Sequence, residues 1–178
     1  MKVYTYRDME FDIADGVFYS TETTGAILNA VVKYFESAPP RPDLNVLDLG
    51  CGCGVIGIAV AKQFGLRRME ASDLSRAAVD QAGKNAAKFG VRIDFKTGSL
   101  FEPWDGRAFD VIIDDISGVA EPIARLSEWY PPGIPCATGE DGSTLIGEVL
   151  REAPRYLAPA GVLFFPVLTL SNEKKILE

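Results

Sequence analysis

Residues 46–54 read Val46-Leu47-Asp48-Leu49-Gly50-Cys51-Gly52-Cys53-Gly54, and the helix-forming run VIGIAVAKQ follows at residues 55–63. An apolar strand that ends in alternating glycines and opens a helix must turn sharply, and glycine permits both the turn and a close approach of backbone to a ligand. The free N–H groups at the start of such a helix and its positive end favour anionic ligand groups. The stretch therefore predicts an α/β protein with a nucleotide-cofactor loop at the carboxyl end of a sheet strand, where open α/β sheets bind their ligands. A strand-to-helix turn with no ligand is the competing reading. Gly52, Gly54 and Gly57 also satisfy G-x-G-x-x-G, with Asp73 19 residues beyond Gly54 in the place of a ribose-binding acid.

Working outward, residues 3–19 alternate loosely in hydrophobicity and carry Asp15-Gly16 as a turn signal, which predicts a short hairpin. Ile27, Leu28, Val31, Val32 and Phe35 recur at helical spacing and predict a helix over 23–35, after which SAPPRPD breaks the chain. Strands are expected at 45–49, 68–72, 91–96, 109–114 and 161–168, with helices at 54–64, 75–88 and 142–157. Ser75 is the expected N-cap of the second of these helices and Gly90 its stop. Short apolar runs separated by helices imply right-handed crossovers and a doubly wound, mostly parallel sheet covered on both faces. The whole of 1–178 is expected to be one domain, with 1–40 an N-terminal hairpin and helix and 41–178 the cofactor-binding core.

The sequence holds 18 Lys and Arg against 25 Asp and Glu, a net charge of -7, and no histidine. That balance argues against a surface that tracks nucleic-acid phosphates. The missing histidine excludes Ser-His-Asp and Cys-His nucleophile systems and His-based metal sites, and no metal site is expected. Acid or base chemistry must rest on carboxylates, Tyr, Lys or water. Cys51, Cys53 and Cys136 form neither a paired Cys-x-x-Cys site nor a disulfide framework, and the first two read as small residues in a crowded turn. The apolar runs are shorter than a membrane span and the start MKVYTYRDMEFD lacks a signal-peptide core, so a cytoplasmic location is expected.

With Asp48 two residues before the first glycine, the pattern apolar-apolar-Asp-apolar-Gly-x-Gly-x-Gly resembles motif I of the class I S-adenosylmethionine-dependent methyltransferases. The segment Gly16-Val-Phe-Tyr-Ser-Thr-Glu-Thr-Thr24, the run Thr97-Gly-Ser-Leu-Phe-Glu-Pro103, Thr138-Gly-Glu-Asp-Gly142 and APRYLAPAGVL at 153–163 resemble the release-factor glutamine methyltransferase group. The resemblance implies a Rossmann-like methyltransferase fold with S-adenosyl-L-methionine as cofactor. By position, Asp48 lies near the methionine part, Gly50, Gly52 and Gly54 beside the adenosyl group, and Asp73 on the ribose hydroxyls. Thr23, Cys51, Leu74, Ser99, Leu100 and Asp114 complete the implied cofactor contacts. The resemblance also implies two strands after a final helix, and SNEKKILE stands where that helix belongs. The apolar run at 161–168 is thus expected at an open edge, with either a shortened chain or a partner or second copy that covers it.

The relatives end their fourth strand in Asn-Pro-Pro-Tyr, which grips a planar NH2 group. Here Asp115, Ile116, Ser117 and Gly118 stand in those places. Asp115 is the candidate catalytic residue, able to accept from an N–H, to hold an ammonium or to take a proton, although a solvated strand end also explains Asp114 and Asp115. Trp129 and Tyr130, in the long connection 116–142, are candidate lining of an acceptor pocket or anchors of their loop. The expected function is methyl transfer to a nitrogen or oxygen of a protein side chain or small molecule. A non-catalytic cofactor-binding subunit and a nicotinamide-dependent oxidoreductase are the alternatives.

Overall fold

A computed structural model describes residues 2–128, 130, 136 and 138–178. Among them β1 (Lys2–Tyr6) and β2 (Met9–Ile13) form an antiparallel hairpin, followed by α1 (Glu22–Ser37), β3 (Asn45–Leu49), α2 (Val55–Phe64), β4 (Arg68–Asp73), α3 (Arg76–Phe89) and β5 (Asp94–Thr97). Then come β6 (Phe109–Asp114), a short α4 (Glu121–Ala124), α5 (Thr144–Glu152), β7 (Leu157–Phe164) and α6 (Glu173–Leu177). Strands β3 to β7 form one parallel sheet in the order β5-β4-β3-β6-β7. The winding direction therefore reverses between β3 and β6, and the glycine turn leaves β3 at that switch point.

Alternation along the strands divides the core into two layers. Val46, Val111 and Ile113 pack with the buried faces of α1 and α2 and with Phe11 and Ile13 of the hairpin. Leu47, Leu49 and Ile112 pack on the other face with Phe101, Trp104 and Val149 of α5. α1 buries the five apolar positions its spacing marked. α3 buries Ala78, Val79, Ala82 and Ala86; Ser75 Oγ accepts from the Ala78 N–H at 3.3 Å, and Gly90 ends the helix at φ +66°.

Four boundaries depart from the sequence expectation, the simplest being β5, which starts at Asp94 and not at 91. The hairpin reverses at Arg7-Asp8, not at Asp15-Gly16, because Tyr6 pairs with Met9. Arg7 takes φ +54° there, a conformation normally signalled by Gly, Asn or Asp, while Asp15-Gly16 forms a separate turn closed by the Val17 N–H on the Ala14 carbonyl at 3.2 Å. The helix expected over 142–157 ends at Glu152, and a 3-10 turn at Ala153–Arg155 containing Pro154 replaces its last part. β7 starts at Leu157, earlier than 161, and stops before Pro166. Phe109 pairs with Leu157 and Val111 with Val162, so residues 158–161 bulge, with Ala160 at φ +64°.

Among the described residues β7 pairs with β6 alone, as expected of an edge. The chain beyond it returns over the sheet end. The Ala120 N–H donates to the Leu170 carbonyl at 2.9 Å, the Asn172 N–H to the Asp141 carbonyl at 2.8 Å, and Lys175 Nζ to Asp141 Oδ2 at 3.1 Å. No helix among the described residues is long and apolar enough to cross a membrane.

Candidate functional site

The glycine turn is held by its neighbours rather than by its own side chains. The Gly50 and Cys51 N–H groups both donate to the Ser72 carbonyl at 2.9 Å, and the Gly52 N–H donates to Asp73 Oδ2 at 2.9 Å. Gly50, at φ +76°, has no room for a side chain: a Cβ would lie 2.6 Å from Ile116 Cγ2 and 3.2 Å from the Ile116 backbone. This contact brings the residues after β6 directly against the turn. Gly57 serves a different purpose. A Cβ there would stand 2.8 Å from Asp48 Oδ2, the oxygen to which the Gly57 N–H donates at 2.8 Å.

Asp48 thus caps α2 from the neighbouring strand, because the residue at the helix start, Gly54, has no side chain to do so. Its other oxygen, Oδ1, is buried with no hydrogen-bond partner among the described residues. Burial pushes the Asp48 carboxyl up to about 7 against the lowering effect of the Gly57 bond, with Asp115 and Asp73 adding repulsion. Asp73, at the end of β4, accepts from the Gly52 N–H on Oδ2 and from the Ser75 N–H at 2.8 Å on Oδ1. Burial raises its pKa, and those two amide bonds oppose the rise.

Asp114 and Asp115 are neighbours that alternation sends to opposite faces. Asp114 follows Ile112 and is fully buried; its Oδ1 accepts from the Ile116 N–H at 3.1 Å and its Oδ2 has no partner among the described residues. Burial raises it to about 8. Asp115 follows Ile113 toward α1, where its Oδ2 accepts from the Thr24 hydroxyl at 2.7 Å. Desolvation lifts it to about 7, with the Thr24 bond in opposition.

A cavity of about 730 Å3 opens across the ends of β3, β4 and β6. Of the residues singled out from sequence, Thr23, Asp48, Gly50, Cys51, Gly52, Asp73, Leu74, Ser99, Leu100 and Asp115 line it. Gly54 and Asp114 do not: Gly54 sits against Ile58 and Ala82, and Asp114 lies on the far side of the sheet end. Burial raises the Cys51 thiol well above its ordinary pKa and Cys53 to about 11, so both remain neutral packing groups. Sequence reasoning missed Thr24, Tyr4 and the returning residues Pro166, Leu168 and Leu170, which close the cavity from the β7 side. Tyr130 lines it too, while Trp129 lies outside the described residues.

A doubly wound α/β sheet with a ligand cavity at its switch point is the class of protein that these features define. Over residues 9–115 the chain matches the methyltransferase small domain family, and it belongs to that family. It is 34% identical over 161 residues to the release factor glutamine methyltransferase of Geobacter sulfurreducens, covering 87% of this chain and 54% of the relative. It is 41% identical over 106 residues to the ribosomal protein L11 methyltransferase of Caldicellulosiruptor bescii, covering 60% of this chain and 32% of that one. The fold is similar to that of the ribosomal protein L11 methylase from Lactobacillus delbrueckii subsp. bulgaricus, with a TM-score of 0.56 at 24% identity over 85% of this chain and 63% of that structure. The chain spans about half the length of the curated relatives it matches.

Proposed function

We propose that this chain is an S-adenosylmethionine-dependent methyltransferase that acts on a nitrogen of a protein side chain or a small molecule, with residues 1–178 working as one catalytic unit. The observation that carries the reading is Asp48. Its carboxylate occupies the N-terminus of α2, where a dinucleotide's pyrophosphate would otherwise bind; Asp48 lines the cavity, and its buried Oδ1 has no partner among the described residues. An anionic phosphate is repelled there, whereas an ammonium next to a sulfonium is attracted.

The residues fit such a cofactor. Asp73 keeps a free lone pair on each oxygen after accepting the two amides, enough for a pair of ribose hydroxyls. Gly52, at φ +53° with nothing within 4 Å of where a Cβ would stand, leaves space beside the turn for an adenosyl group. Asp48, with Oδ1 unpartnered among the described residues, would hold the ammonium of the methionine part. The cofactor supplies an activated methyl, so the protein need only hold a nucleophile in line with it and keep water out. Asp115, close enough to Asp48 to add to the rise of its carboxyl, lines the cavity to do the first, and Pro166, Leu168 and Leu170 line its β7 side to do the second.

The names of the relatives support a protein acceptor in the cytoplasm, and the net charge of -7 disfavours nucleic acid. A partner or second copy on the open β7 edge belongs to the same reading. Calorimetric titration with S-adenosylmethionine, S-adenosylhomocysteine and NAD tests the proposal. Binding of the first two and not the third is expected; an NAD response alone overturns it. Cofactor binding with no methyl transfer to any protein in a cell extract favours the non-catalytic subunit, a reading motivated by Asp115-Ile116-Ser117-Gly118 in place of Asn-Pro-Pro-Tyr.

A further inference from the structure

The chemical class of the acceptor follows from the part of the cavity that the cofactor does not need, and this step rests on the cofactor reading above. The cavity is lined by four carboxylates, Glu22, Asp48, Asp73 and Asp115, and among the described residues by no Lys or Arg. Asp73 and Asp48 serve the cofactor. Asp115 is left with one partner among the described residues, the Thr24 hydroxyl on Oδ2. Aromatic rings from distant parts of the chain line the same cavity, and burial, with the Asp115 charge adding to it, raises the pKa of two of their hydroxyls, Tyr4 and Tyr130. Phe18 and Tyr130 lie 5.1 Å apart at a 49° tilt, and Tyr130 is fixed by a 2.5 Å hydrogen bond with the Ser117 hydroxyl. Tyr4 reaches in from the hairpin, its hydroxyl 3.0 Å from where a Cβ of Gly25 would be, next to Thr24.

We propose that the acceptor is a primary aliphatic amine, drawn in as its ammonium by Asp115 and walled by Tyr4, Phe18 and Tyr130. Three contrasts decide for the amine. A carboxylate with rings beside it is the environment that stabilises a desolvated ammonium. A carboxamide brings a carbonyl that needs a donor, and Asp115, unlike an asparagine, donates nothing when ionised. An anionic acceptor meets carboxylates and, among the described lining residues, no cationic side chain to hold it.

The reaction balances with these groups alone. The ammonium passes one proton to the Asp115 carboxylate. The neutral nitrogen's lone pair then forms the new N–C bond as the methyl C–S bond breaks and its electron pair stays on sulfur. The product leaves as a methylated ammonium, and the Asp115 proton returns to solvent.

The test uses the whole chain. It is first saturated with S-adenosylhomocysteine, monitored by calorimetry, and then offered n-butylammonium, propionamide or butyrate at pH 8, with binding read by ligand-observed saturation-transfer NMR. Saturation transfer to n-butylammonium alone is expected, and Asp115→Asn weakens it at least tenfold while leaving S-adenosylhomocysteine affinity unchanged. Preference for propionamide or butyrate, or n-butylammonium binding that Asp115→Asn does not weaken, overturns the proposal. Failure of the first titration counts against the cofactor reading instead. Radiolabelled methyl transfer to a lysine-bearing peptide or to 1,4-diaminobutane separates a protein side chain from a free amine as the source. Transfer to a glutamine-bearing peptide in their place overturns the amine.

Discussion

Asp48 shows how one side chain ties the fold to the chemistry. One oxygen completes the start of α2 and the other is buried with no partner among the described residues. On the proposed function Asp73 and Asp115 divide the remaining work, and their variants should separate. Asp73→Ala strips the Gly52 and Ser75 amides of their acceptor along with the ribose contact, and calorimetry should show no cofactor binding. Asp115→Ala should leave cofactor affinity nearly unchanged but reduce turnover on an identified acceptor by about a hundredfold, a usual size for a lost general base; full turnover would remove Asp115 from the mechanism. The glycines differ as well. Gly65→Ala, in the left-handed region with open space around it, should cost about 1–2 kcal/mol in urea unfolding from backbone strain alone. Gly50→Ala adds the clash with Ile116 and should cost roughly 1–3 kcal/mol more. Asp48, Asp73 and the turn could be read from sequence because they are close in the chain and their spacing has a mechanism. Thr24 could not: it meets Asp115 across 91 residues, and a threonine in a helix's first turn carries no signal of such a contact.

Elements formed where local rules and tertiary packing agree. α1 and α3 follow their apolar spacing, and α3 also has the cap and stop its ends require. The hairpin turn and the β7 bulge escaped because Arg7 and Ala160 take left-handed conformations that sequence rules reserve for other residues. Asn85 supplies the least visible link between elements. Fully buried on α3, its Nδ2 donates to the Asp12 carbonyl at 2.9 Å and to the Cys53 carbonyl at 2.8 Å, and its Oδ1 accepts from the Asp12 N–H at 3.1 Å. One amide therefore ties the hairpin to the glycine turn. Asn85→Ala leaves those backbone groups unpaired, at about 1–3 kcal/mol each where they stay dry. Denaturant unfolding should show a loss of at least ~2 kcal/mol together with weaker cofactor binding; an unchanged midpoint would mean that apolar contact and the Lys88 bonds to Glu10 and Asp12 hold the hairpin without Asn85.

For the molecule as a whole, the carboxylates at the sheet end make stability depend on pH in an unusual direction. Asp48 and Asp115 titrate near 7 and Asp114 near 8 in the fold, each raised by burial, whereas in the unfolded chain they titrate near the ordinary carboxylate value. The groups around them are Asp73, Glu22, Tyr4, Tyr130, Cys51 and Cys53, among which no cation stands. The folded chain thus holds more protons between about pH 4 and pH 8, and its stability must fall as pH rises through that window. Thermal unfolding should give a lower Tm at pH 8 than at pH 5.5, and Asp114→Asn should flatten the slope. A Tm that rises over the same range would contradict the burial of these charges. Cofactor binding should oppose the fall, because a sulfonium and an ammonium stabilise the ionised carboxylates. The most direct measurement is a crystal structure of the chain with S-adenosylhomocysteine. Both ribose hydroxyls are expected on Asp73 and the amino group within hydrogen-bond distance of Asp48 Oδ1, with Asp115 free to face the acceptor. A ligand bound elsewhere, or one whose amino group leaves Asp48 Oδ1 without a partner, would contradict the assignment of this cavity to the cofactor.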